Sequence, residues 1–94
     1  MPFGNAEELS PEDSAILLCK GEILAASGHT EDALGCVEAA IKSKPSSDAF
    51  LMRAYLQESL GRKFEAFADY SRVLELMPNN TFALEGLNRI RAGV

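Results

Sequence analysis

The sequence has no tryptophan, one histidine and two cysteines, and it lacks a long apolar run. The longest apolar run, residues 15–19, ends at Lys20 and is far short of the roughly 20 residues that span a membrane. The first residues also lack the basic start of a signal peptide and the arginines of a transit peptide. We therefore predict an intracellular, cytoplasmic protein.

The few reactive side chains are too scattered to indicate catalysis or cofactor binding. Cys19 and Cys36 form no C-x-x-C motif, and we expect both to be reduced and mostly buried. A catalytic base needs a nucleophile and an orienting group, which His29 lacks in the sequence. No glycine-rich phosphate loop is present, and one histidine with two separated cysteines does not make a metal site. We predict a non-enzymatic protein with no metal or cofactor.

The charge balance bears on the class of partner. The 94 residues include 14 acidic and 9 basic side chains, for a net charge of −5. Nucleic acids and anionic membranes require a basic surface, so neither is a predicted partner, and we expect no direct membrane insertion. The length predicts a single domain. The negative charge favours a protein or peptide partner with apolar and basic character.

The sequence repeats itself weakly with a shift of 33 residues. Large apolar, small, glycine and proline positions recur in the same order in both halves. The paired positions are Leu17 and Phe50, Gly21 and Ala54, Gly28 and Gly61, Ala33 and Ala66, Val37 and Tyr70, and Pro45 and Pro78. Such a period is typical of stacked helical units, none of which can bury its apolar face alone.

Capping and breaking residues divide the chain into five predicted helices. Ser10 and Thr30 are predicted N-caps of the first two helices, and Gly28 and Gly61 are predicted helix ends. The helices are predicted at about 11–26, 30–44, 48–60, 63–76 and 81–92. We expect a flexible leader over 1–9 and one domain over 10–94, with repeats at about 14–46 and 47–80 and a closing helix at about 81–92.

The closing helix is predicted to bury one apolar face and to expose a polar one. Leu84, Leu87 and Ile90 follow helical spacing and form the predicted apolar face. The opposite side carries polar residues, which suits a helix that ends an array.

Residues 47–80 resemble the 34-residue tetratricopeptide repeat. The family's large, small, glycine, aromatic and proline positions fall on Phe50, Ala54, Gly61, Ala66, Tyr70, Val73 and Pro78. In the first unit they fall on Leu17, Gly21, Gly28, Ala33, Val37, Ala40 and Pro45, so that the resemblance covers about 70 of the 94 residues.

The sequence departs from the family pattern in three ways, one of which is that the first unit is one residue shorter than 34. Lys20 and Arg53 stand where the family has leucine, and we expect each to lay its apolar stem along the core edge with its charge in water. Phe64 lies one residue later than the family's aromatic in the turn between helices.

The resemblance implies an all-α, right-handed solenoid of antiparallel helix–turn–helix repeats, whose first helices line a concave groove. The groove positions that it implies are Ala15, Leu18, Glu22, Ala25, Asp48, Leu51, Tyr55, Glu58, Phe82, Glu85 and Arg89. Of these, the predicted protein-binding residues are Leu18, Glu22, Leu51, Tyr55, Glu58, Phe82, Glu85 and Arg89. The predicted function is a protein–protein interaction module, an adaptor or scaffold, that binds a partner helix or extended segment there. The alternatives are a permanent structural subunit of a larger assembly and a self-associating, homo-oligomeric repeat protein.

One branch of the family binds the acidic tails of Hsp70 and Hsp90 through a clamp of lysine, asparagine and arginine. The positions that match this clamp hold Leu18, Glu22, Met52, Phe82 and Gly86, none of which is a cation. We therefore predict that the Hsp70 or Hsp90 tail is not the partner.

Overall fold

The computed structural model describes residues 11–93, with side chains from residue 13 onward. Within this part the chain forms only helices and turns. The helices are α1 (Pro11–Ala26), α2 (Thr30–Ser43), α3 (Ser47–Ser59), α4 (Lys63–Leu76) and α5 (Thr81–Ala92). The all-α prediction is confirmed. The predicted leader over 1–9 and the predicted cap Ser10 lie outside the described residues, and the division into repeats stays a prediction.

Glycine ends the first helix of each pair. Gly28 and Gly61 have φ angles of 88° and 80°, in the left-handed region that a residue with a Cβ adopts only with strain. After Gly28, the His29 amide donates to the Leu24 carbonyl at 2.8 Å, and an equivalent bond follows Gly61. These bonds satisfy carbonyls that the helix leaves open, and they turn the chain tightly back on itself.

Side-chain caps begin two of the helices but not α2. Ser46 and Asn80 each accept a hydrogen bond from the backbone amide three residues on, at 3.1 and 2.8 Å. The prediction that Thr30 is an N-cap is wrong, because Thr30 is the first residue of α2 and His29 precedes it without a side-chain cap bond. The turn at Gly28 is so short that the residue directly after it must occupy the cap position.

Helices that follow one another in the chain pack side by side, and α3 also contacts α5. The result is an elongated body with extents of 52 × 29 × 17 Å. The core of this body consists of two apolar clusters, and Ile41 packs against both of them. The first cluster contains Ala33, Leu34, Val37 and Leu56, and the second contains Phe50, Ala54, Ala66, Tyr70, Val73, Ala83, Leu87 and Ile90.

Small residues allow the close approaches within this core. Gly21 is buried, and a Cβ built on it would lie 3.0 Å from Cγ2 of Val37. Its counterpart Ala54 is fully buried, as are Ala33 and Ala66 on the second helices. The helix pairs therefore pack closely because these positions carry little or no side chain.

The buried face of α5 differs from the prediction. Leu84 is 43% exposed, whereas Ala83, Leu87 and Ile90 are buried. Gly86 explains the difference, because it lies directly against the ring of Tyr70. The buried face of α5 is therefore the face that carries Gly86, and Leu84 lies outside it. The polar outer face of α5 is as predicted.

Arg53 also departs from the prediction, which placed its charge in water. Its Nε and Nη2 donate to the two carboxylate oxygens of Asp69 at 2.7 and 2.9 Å. Asp69 is only 8% exposed in this pair, and the hydrogen bond to it raises the pKa of Arg53. Arg53 thus links α3 to α4 by a two-pronged ion pair. Lys20 is exposed, as predicted.

Candidate binding groove

The first helices of the two helix pairs, α1 and α3, line an open groove of about 570 Å³. Its lining residues recur every three or four positions along each helix, so that one face of α1 and one face of α3 border the groove. They are Ala15, Leu18, Cys19, Glu22, Ala25, Asp48, Leu51, Met52, Tyr55 and Leu56. The volume falls in the range of ligand pockets and holds several side chains.

The floor of the groove is apolar and only half-buried. Leu18 and Met52 pack against the first core cluster with one side and line the groove with the other. Leu51 does the same against the second cluster. These three residues therefore pack in the core and are also exposed to the groove.

Two carboxylates line the groove without a cation beside them. Glu22 on α1 and Asp48 on α3 are exposed. Neither forms an ion pair with any residue that the structure describes. The potential over this apolar surface is therefore negative.

At one end of the groove, Tyr55 contacts a polar cluster that joins α3, α4 and α5. Arg89 donates to both carboxylate oxygens of Glu58 at 3.0 and 3.1 Å, and the Tyr70 hydroxyl donates to Glu58 at 2.7 Å. The ring centroids of Tyr55 and Tyr70 are 6.0 Å apart, and the two rings are nearly perpendicular. The Arg89 guanidinium lies 5.9 Å from the centroid of the Tyr55 ring. We call Glu58, Tyr70 and Arg89 the α5 lock.

The α5 lock removes the free charges of Glu58 and Arg89 that the sequence predicted at the groove. The hydrogen bond from Arg89 lowers the pKa of Glu58, and the bond to Glu58 raises the pKa of Arg89. Burial, followed by the hydrogen bond to Glu58, raises the pKa of Tyr70. Glu58 and Arg89 thus neutralise each other, and neither offers a free charge at the groove.

The structure brings together half of the predicted site residues. Leu18, Glu22, Leu51 and Tyr55 line the groove, and Glu58 and Arg89 adjoin it through Tyr55. Phe82 and Glu85 are exposed on α5 and do not line this groove. Which of these residues bind a partner stays a prediction.

Sequence reasoning missed three lining residues that helical spacing could have found. Cys19 lies one turn after Ala15, and Met52 and Leu56 lie one and two turns after Asp48. Cys19 is exposed and Cys36 is half-buried, so the prediction that the cysteines are mostly buried is wrong for Cys19. Both are free thiols.

Neither a metal-ligand cluster nor a membrane-spanning helix occurs among the described residues. None of the histidine, cysteine, aspartate and glutamate side chains there gather in a group of three or more that could hold a metal ion. No helix between residues 11 and 93 is long and apolar enough to cross a membrane.

Comparison with known proteins gives a structural match. The fold is similar to the first tetratricopeptide domain of Spaghetti (RPAP3) bound to the HSP90 peptide SRMEEVD, with a TM-score of 0.51 and 21% identity. The match covers 90% of this chain and 95% of that domain. No family model matches the chain, and no curated protein matches it in sequence. The chain has an all-α, tetratricopeptide-like repeat fold, as its sequence predicted.

Proposed function

We propose that this chain is a protein-interaction module that binds a helix or extended segment of a partner along the α1–α3 groove. The proposed segment supplies apolar anchors for Leu18, Leu51 and Tyr55 and basic residues for Glu22 and Asp48. The proposed role is that of an adaptor or scaffold without catalytic activity, in the cytoplasm. A role as a permanent structural subunit stays an alternative prediction.

The observation that carries this proposal is an apolar groove edged by unpaired carboxylates. Leu51 and Met52 remain half-exposed on its floor, where further burial in a partner would stabilise a complex. Glu22 and Asp48 form no ion pair with a described residue, so a basic residue of the partner would gain a counter-charge without breaking any of the ion pairs that the structure describes.

The same charges argue against an acidic tail as the partner. The peptide bound by the structural neighbour, SRMEEVD, carries three carboxylate side chains near its end. In this chain an acidic segment would meet Glu22 and Asp48, while the nearest arginine on α5, Arg89, is already bound to Glu58. We propose that the groove disfavours the Hsp90 or Hsp70 tail and favours the opposite charge.

Fluorescence anisotropy with two labelled peptides tests this proposal. We expect the charge-inverted peptide SRMKKVK to bind more tightly than SRMEEVD. Exposed ion pairs contribute up to about 1 kcal/mol each, so the double substitution Glu22→Lys/Asp48→Lys should weaken SRMKKVK roughly tenfold. Tyr55→Ser should weaken both peptides by removing an apolar anchor.

Matched variants control for charge and for loss of apolar surface. Asp32→Lys/Glu75→Lys makes the same change of charge on α2 and α4, outside the groove, and Ile23→Ser removes an exposed apolar side chain that does not line it. These variants should bind as the wild type does. Tighter binding of SRMEEVD, or equal losses in the control variants, would refute the proposed groove.

A further inference from the structure

A second apolar surface lies between the start of α4 and the end of α5. It surrounds a dimple of about 310 Å³ lined by Lys63, Phe64, Phe67, Ile90 and Arg91, which we call the α4–α5 end surface. Phe67 and Ile90 belong to the core side of this dimple. Phe64 is 94% exposed and protrudes from the first turn of α4.

This surface is cationic in an acidic protein. Neither Lys63 nor Arg91 forms an ion pair within the described part of the chain. The Arg91 guanidinium lies 5.8 Å from the Phe67 ring, and a Cβ on Gly93 would lie 3.4 Å from Lys63 Nζ, so both cations border the dimple at the end of α5. An exposed phenylalanine that shares a dimple with two cations, neither of them paired with a described residue, is a surface that favours an acidic, apolar counterpart.

The α1–α3 groove has that chemistry. It is apolar and carries the unpaired carboxylates of Glu22 and Asp48. Phe64 with Lys63 and Arg91 in turn has the character proposed above for the partner of the groove, an apolar anchor flanked by basic side chains. Both halves of a complementary contact thus lie on one chain, on different helices.

We propose that the α4–α5 end surface of one copy docks into the α1–α3 groove of a second copy. Phe64 enters the groove among Leu18, Leu51 and Tyr55, while Lys63 and Arg91 face Glu22 and Asp48. This inference rests on the proposed function, because it names an occupant of the same groove. The contact is heterologous, so each added copy leaves one groove and one end surface free, and association continues head to tail.

Analytical ultracentrifugation of the full chain tests the inference. We expect the average mass of the wild type to rise over roughly 5 to 500 µM, as a weak, small interface fills. Two variants should each stay monomeric: Glu22→Lys/Asp48→Lys, which lacks a competent groove, and Lys63→Glu/Phe64→Ser, which lacks a competent end surface. Charge reversal is a clearer probe than added salt, since salt also screens the repulsion between two chains of charge −5.

The decisive sample is an equimolar mixture of the two variants. The first retains its end surface and the second its groove, so the mixture should form a 1:1 dimer that does not grow further. Asp32→Lys/Glu75→Lys and Ile23→Ser should associate as the wild type does, and circular dichroism should show equal helicity in all of these proteins.

Three results would overturn the inference. They are a wild type that stays monomeric at the highest concentration, association of Glu22→Lys/Asp48→Lys or of Lys63→Glu/Phe64→Ser as strong as that of the wild type, and a mixture of these two variants that forms no dimer. Binding of SRMKKVK by a monomeric wild type would reject self-association and leave the proposed groove standing. Self-association that survives Glu22→Lys/Asp48→Lys, with no peptide bound, would reject both.

Discussion

Two glycines in helices, Gly86 in α5 and Gly35 in α2, should respond in opposite directions to the same substitution. A Cβ added at Gly86 would overlap the hydroxyl end of the Tyr70 ring, whereas a Cβ added at Gly35 meets no atom within 4 Å. Alanine stabilises a helix interior relative to glycine, by about 1 kcal/mol at either site. The surroundings of each Cβ therefore decide the sign of the change in stability.

The magnitude at Gly86 follows from how firmly Tyr70 is held. Tyr70 is fully buried, its hydroxyl donates to Glu58, and its ring packs edge-on against Tyr55. The ring cannot move away without breaking these contacts, and overpacking of this kind costs about 1–3 kcal/mol, or more when the overlap is severe. Because the overlap with the ring is severe, we place the cost at about 2–3 kcal/mol. After the gain of about 1 kcal/mol in helix propensity, Gly86→Ala should lower the free energy of unfolding by about 1–2 kcal/mol.

Thermal and urea unfolding followed by circular dichroism measure this difference. Gly86→Ala should lower the melting temperature by roughly 4–15 °C, and Gly35→Ala should raise it by a few degrees, because about 1 kcal/mol shifts the midpoint of a domain this size by about 4–8 °C. If Gly86→Ala stabilised the protein as much as Gly35→Ala, α5 would not be seated on Tyr70 and the α5 lock would be wrong.

The remaining predictions concern two of the ion pairs, Arg53–Asp69 and Arg89–Glu58, and a turn. Asp69→Ala should destabilise the fold by about 2–3 kcal/mol in urea unfolding, because it leaves the partly buried Arg53 without its partner. The pKa of Glu58 in the folded protein lies below its ordinary value of 4.5, so the free energy of unfolding should fall as the pH drops through 4.5 toward that lower pKa. Urea unfolding at several pH values should show a weaker pH dependence for Arg89→Gln. Gly61→Ala should cost about 1 kcal/mol, measured the same way, because its φ is 80°.

The local features of the fold could be predicted from the sequence because short-range chemistry determines them. Gly28 and Gly61 end their helices through bonds between residues only five apart, and Ser46 caps α3 through the amide three residues on. The small residues Gly21 and Ala54 recur with the repeat, so their role at the close approach between helices could also be predicted. Each of these signals lies within a few residues or within one period of the sequence.

The ion pairs could not be predicted, because their partners are distant in the sequence and on different helices. Arg53 and Asp69 are 16 residues apart, and Glu58 and Arg89 are 31 apart. A pattern of helix faces says that a long side chain lies at the core edge, but it does not say which carboxylate it meets. The burial of Asp69 and the loss of the free charge on Glu58 therefore emerge only in three dimensions.

The same long-range contacts determine what charge the groove can present. α5 could supply a cation to the groove through Arg89, but Arg89 donates two hydrogen bonds to Glu58 and a third to the Tyr70 hydroxyl. A longer side chain at position 86 would overlap Tyr70, so that face of α5 has no room for a second cation. Glu22 and Asp48 then remain the uncompensated charges along the apolar floor. The proposed selectivity for a basic segment thus depends on the packing of α5 as much as on the residues that line the groove. We expect Arg89→Gln to alter peptide selectivity, because it leaves Glu58 beside Tyr55 as a third carboxylate without a cation among the described residues.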